Sequence, residues 1–136
     1  MDASAAASWM LASQSTVASE ALLDHASSHV FVAPHIFPGE VRNLLLMMEW
    51  RGRSTEVETS RALAALSNYG VDIEPPPPPM VYDAILGLGR KERLTVYDAT
   101  YLWTALRGDF TLASRDGALL AAAARNGVAV EDLRPA

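Results

Sequence analysis

Four acids stand where helices are expected to begin: Asp2, Glu40, Asp98 and Asp116. Asp98 follows Thr95 by three residues and Asp116 follows Ser114 by two, so each should fall in the first turn of a helix capped by a hydroxyl residue. Taken singly, each acid reads equally well as a simple cap, and Thr95-x-x-Asp98 fits a capping box. Taken together they imply more. If the strand-to-helix junctions of an open α/β sheet share one edge, the four side chains converge there. Carboxylates gathered in one crevice raise one another's pKa unless a cation compensates, and an all-oxygen donor set favours a hard divalent ion, Mg²⁺ or Mn²⁺. Zinc is disfavoured: cysteine is absent, and His25, His29 and His35 form no helical ligand pair.

The elements that must position these acids follow from the surrounding pattern. Val30–Ala33 (VFVA) and Phe110–Ala113 (FTLA) read as short buried parallel strands, each feeding a helix. After the first, Pro38 suits the opening position of a helix, Glu40 lies two residues on, and Val41, Leu44, Leu45 and Met48 recur at helical spacing until Gly52 ends it. At the start, Asp2-Ala3-Ser4 leads into an Ala-rich helical segment carrying Trp9. The Pro75–Pro79 run reads as a stiff connector from a strand near Val71–Ile73 into a helix starting around Met80. The expected order is helix, helix, strand, helix, helix, strand, helix, helix, strand, helix, short strand. Such an alternation predicts an α/β fold with a parallel central sheet flanked by helices.

These pieces resemble a known family. Asp2-Ala3-Ser4 with Trp9, Glu40-Val41-x-Asn43-Leu44, Tyr97-Asp98-Ala99-x-Tyr101-Leu102 and Ser114-x-Asp116-x-x-Leu119 occur in the order and at spacings compatible with PIN-domain ribonucleases. The likeness is greatest to the VapC toxins of bacterial toxin–antitoxin pairs. The resemblance implies a PIN-like three-layer sandwich and a metal site formed by Asp2, Glu40, Asp98 and Asp116. It further implies Ser114 supporting those acids and Asn43 orienting the site. The implied activity is Mg²⁺- or Mn²⁺-dependent endoribonuclease cleavage of RNA, leaving 5′ phosphate and 3′ hydroxyl ends. The implied partners are a small cognate antitoxin, which neutralises the toxin by filling the acidic groove, and a second copy in a homodimer. One departure stands out: the family's central strand ends at the counterpart of Asp2, where this sequence has only Met1 before it. Either the true start lies upstream or the first strand is largely missing. The alternative function is a catalytically impaired PIN-like protein that acts only by binding antitoxin or nucleic acid.

Charge bears on the substrate. The net charge of −5 is unusual for a protein that grips RNA, since phosphate binding rests on Lys and Arg. Setting aside the four proposed ligands leaves 12 acids against 11 basic residues, so local placement decides. Arg51 and Arg53 end a helix, Arg90, Lys91 and Arg93 precede the Asp98 motif, and Arg115, adjoining Asp116, is the favoured phosphate contact. Trp9, Trp50, Tyr97, Tyr101 and Trp103 have the spacing of core or dimer contacts more than of base-stacking platforms. With 136 residues, half of them hydrophobic, one domain over 1–136 is expected. No apolar run reaches the roughly 20 residues of a membrane span and no signal pattern opens the chain, so the expectation is a cytoplasmic protein without a membrane partner.

Overall fold

The computed structural model describes residues 1–136. Helices α1 (Ala3–Met10) and α2 (Val17–Asp24) lead to strand β1 (Val32–Ala33), then α3 (Phe37–Trp50), α4 (Glu56–Ser67) and strand β2 (Asp72–Ile73). Helices α5 (Pro79–Glu92) and α6 (Val96–Gly108), strand β3 (Leu112–Ser114), α7 (Gly117–Arg125) and strand β4 (Val130–Asp132) complete the chain. This is the order read from the sequence, with two short 3-10 turns added at Ala12–Gln14 and Ala26–Ser28.

The sheet corrects the expectation. There is no PIN-like three-layer sandwich with a central parallel sheet: the chain is mostly helical, with seven helices and two separate two-stranded parallel sheets, β1–β2 and β3–β4. The strands are only two or three residues long. Between the pairs lie Met1 and Asp2, whose nitrogens donate to Val32 O at 3.0 Å and to Ala113 O at 3.3 Å. One bond to each side bridges the gap without forming a ladder. Beyond Met1 the gap opens into a cavity of about 340 Å³ lined by Phe31, Val32, Leu112 and Ala113.

Helices therefore carry the packing. The Ala-rich α1 buries Ala3, Ala5, Ala6, Ala7 and Ser8, and small side chains on nearly every face let α2, α3, α4 and β3 close around it. Helix α3 has Pro38 in its first turn and buries Phe37, Val41, Leu45 and Met48 at helical spacing; Gly52, at φ +69°, supplies the left-handed turn that ends it. Pro78 is in extended backbone and α5 begins at Pro79, so the proline run does act as a connector. Helix α5 lies against α6 at Gly89, where an added Cβ would stand 3.1 Å from the Leu94 carbonyl oxygen.

Helix α6, whose first turn carries Asp98, is anchored in the core by Leu102, one turn further on and fully buried. Leu102→Ala is expected to cost about 2–5 kcal/mol by lost burial and a residual cavity. Urea denaturation reads this directly, and a loss under about 1 kcal/mol would mean that α6 is not anchored as described.

Candidate functional site

One cleft of about 450 Å³ is lined by all four acids, Asp2, Glu40, Asp98 and Asp116, together with Ser4, Gln14, Asn43 and Tyr101. Its other wall continues along α3 through Leu44, Met47 and Met48 to Arg51 and Arg53. The acids reach it from four helix starts. Asp2 caps α1 and Asp116 caps α7, their Oδ1 atoms accepting from Ala5 N at 2.9 Å and Leu119 N at 3.0 Å. Glu40 and Asp98 sit in the first turns of α3 and α6. The partial positive charge at those termini favours the ionised acids.

Local capping differs in detail from the sequence reading. Thr95 caps α6 as expected, accepting from Asp98 N at 3.1 Å. Ser114 does not cap α7, which Asp116 caps itself; it is the last residue of β3 and is fully buried. There its hydroxyl donates to Asp2 Oδ2 and accepts from Asp116 N at 2.9 Å, tying two of the acids together. Ser4 adds a second tie that the sequence did not single out: its hydroxyl donates to Asp2 Oδ1 at 2.8 Å and accepts from Arg115 N at 2.9 Å. Removing the Ser114 hydroxyl leaves a buried carboxylate oxygen of Asp2 without its donor, so Ser114→Ala should cost about 1–3 kcal/mol. Thermal melting measures it; unchanged melting would mean the hydroxyl tie is dispensable.

The electrostatics of the cleft are those of crowded carboxylates. Burial holds the Glu40 carboxyl above its ordinary range; the neighbouring Tyr101 hydroxyl opposes this, and the charges of Asp98 and Asp2 reinforce it. Asp98 is also raised, by burial first and then by the charge of Asp116, with Thr95 opposing and Asp2 adding to the effect. Tyr101 is held neutral by burial and by Glu40. Although Tyr101 faces Glu40, neither its hydroxyl nor Glu40 Oε1 meets hydrogen-bond geometry, and both are buried without a partner. A buried acceptor without a donor beside like charges is the condition a hard cation relieves, so the donor set fits Mg²⁺ or Mn²⁺ in its chemistry. The resting arrangement is looser: no three His, Asp or Glu side chains form a group ready to hold a metal ion.

Other predicted residues lie differently. Asn43 lines the cleft one turn from Glu40, but its amide faces Met47 Sδ at 3.7 Å and no acid. Arg115 does not line the acidic cleft. Its guanidinium donates to Gln14 Oε1 at 2.6 Å and borders a neighbouring pocket with Arg134, while its Nε is buried without a partner. The three histidines lie elsewhere: His25 and His29 bond main-chain carbonyls, and His35 approaches the Tyr82 hydroxyl at 3.3 Å. Tyr101 was legible as part of the Asp98 motif and as an aromatic at helical spacing, but with no role at the site; its place three residues after Asp98 puts it on the adjoining face of α6.

No helix is long and apolar enough to cross a membrane. No family model and no curated protein sequence matches the chain. Among solved structures, the crystal structure of PAE2754 from Pyrobaculum aerophilum is similar in fold, with a TM-score of 0.71 and 24% identity over 95% of this chain and 85% of that one.

Proposed function

We propose that the chain is a metal-dependent endoribonuclease, a toxin of the type neutralised by a small cognate antitoxin. The observation that carries this reading is the convergence of Asp2, Glu40, Asp98 and Asp116 on one cleft, with Glu40 Oε1 buried and unpartnered. The ordered motifs that resemble PIN-domain ribonucleases support RNA as substrate, a homodimer, and an antitoxin segment that fills the groove.

Asp2, Glu40, Asp98 and Asp116 would hold Mg²⁺ or Mn²⁺. When bound, such an ion supplies Lewis acidity toward a phosphodiester and lowers the pKa of an attacking water. The chain's own contribution is positional. Ser114 fixes Asp2 relative to Asp116, so these two acids keep their spacing when a charged substrate enters. Glu40 and Asp98 are not tied in this way and are the freer members of the set. Burial and neighbouring acids raise the pKa values of both, and a bound cation would favour their ionised forms.

The test is cleavage of single-stranded RNA with Mn²⁺, with Mg²⁺ and with a chelator. Cleavage restricted to the metal-containing reactions is the expected result. The looseness of the resting acids favours a second reading, a protein that binds RNA or antitoxin without turnover. Tight RNA binding with no cleavage in either metal would select that one.

A further inference from the structure

The cleft wall on α3 is a single helical stripe. Glu40, Asn43, Leu44, Met47, Met48 and Arg51 follow one another at steps of three, one, three, one and three residues, and all of them line the cleft. Eleven residues separate Glu40 from Arg51, which at 1.5 Å per residue places them roughly 16 Å apart along the axis. Past Arg51, the left-handed Gly52 turns the chain so that Arg53 returns to the same cleft. The turn is fixed by main-chain bonds from Gly52 N to Glu49 O at 2.9 Å and from Arg53 N to Met48 O at 2.9 Å.

The cleft is therefore graded from carboxylates through an amide and two thioethers to two guanidinium groups. Arg51 and Arg53 are exposed and make no ion pair and no side-chain hydrogen bond; Arg61, Arg90 and Arg93 are equally free, but only Arg51 and Arg53 line the cleft that holds the acids. Free guanidinium groups in a cleft suit phosphate, which they bind through paired N–H donors.

We propose that Arg51 and Arg53 form a phosphate clamp remote from the acids, which makes the protein a reader of RNA length. This rests on the ribonuclease reading above. A stacked single strand places a phosphate about every 3.4 Å, so the α3 stripe spans about five nucleotides, or fewer if the strand is extended. Between the two ends, Leu44 and Met47 offer apolar surface to bases or ribose, and Asn43 offers an amide for hydrogen bonding. A dinucleotide occupying the acidic end does not reach the clamp; an octanucleotide does. The arginines are thus positioning residues that act on binding of long substrates.

The test compares wild type with the Arg51→Ala/Arg53→Ala double variant on a dinucleotide and on an octanucleotide RNA. On the octanucleotide, KM should rise about tenfold or more as two charge-assisted contacts are lost. On the dinucleotide, both kcat and KM should be unchanged. Fluorescence anisotropy of the octanucleotide without divalent metal gives a second readout that needs no cleavage. There the slope of log K against log salt should fall by about 1.4, two single-strand phosphate contacts, and Arg51→Lys/Arg53→Lys should restore most of it. Equal losses on both lengths, or an unchanged salt slope, would overturn the clamp. Cleavage by neither protein, with the altered salt slope intact, would instead refute the ribonuclease reading and leave the clamp standing.

Discussion

Asp98→Asn is expected to reduce RNA cleavage by about a hundredfold or more, since loss even of a group that merely supports a metal ligand typically costs 10- to 100-fold. The substitution is nearly isosteric, and Leu102 and Thr95 anchor the same turn of α6 in either case. What it removes is a charge pressed by Asp116 and Asp2 in a half-buried position. In a bacterial host without the antitoxin, wild type should arrest growth and the Asn variant should relieve it at equal expression. Equal arrest by a folded variant would detach toxicity from the carboxylates and favour binding without turnover. Retained cleavage would remove Asp98 from the ligand set.

The same crowding makes a prediction for stability. Glu40→Gln should raise the melting temperature of the metal-free protein at pH 7 by a few degrees, an expectation discounted because the side chain is only half buried. The sign follows from linkage. Glu40 and Asp98 have folded-state pKa values above those of the unfolded chain, so the folded state holds more protons in that interval and ∂ΔG/∂pH is negative there. Their contribution is fully present below the unfolded carboxylate range and is lost as pH rises through the folded values. Metal-free wild type should therefore weaken as pH rises above the ordinary carboxylate range, and the Gln variant should weaken less. Mn²⁺ at 100 times its Kd should return about 2.7 kcal/mol to wild type and distinctly less to the variant. Calorimetric scans across pH, with and without Mn²⁺, decide it: a lower melting temperature for Glu40→Gln would make the carboxylate a structural acceptor.

Local chemistry was legible in the sequence and long-range pairing was not. The cap at Thr95, the proline opening α3, the glycine closing it and the order of the elements depend on neighbours within about five residues. The separation into two small sheets depends on what lies between β1 and β3, and runs such as FTLA carry no information about that. The strands also start later than their apolar runs, at Val32 and Leu112, because backbone pairing and not hydropathy sets their limits. At the site, the four acids could be picked out by their places near helix starts. Ser114 could be associated with them, but its bond to Asp2 depends on the fold that joins α1 to β3. Arg115 adjoins Asp116 in sequence yet is turned toward Gln14, whereas Arg51 and Arg53, at and beyond the opposite end of α3 from Glu40, share its cleft. The α3 stripe that carries the cleft toward them is a period-3.6 pattern, visible once one face of α3 is known to be open.

The hydrogen bond from Ser114 to Asp2 joins residues 112 apart, and that from Thr16 to Leu133 O joins residues 117 apart. A chain emerging from the ribosome at 5–20 residues per second can make the first bond only after Ser114, and the second only after Leu133, has been synthesised. The carboxylate cleft thus cannot hold its full set of acids before Asp116 has been made, and a product ending before Asp116 carries three of the four. Translation itself imposes a delay of seconds between Asp2 and Asp116, an interval in which a partner can meet the nascent helices before the set of acids is complete.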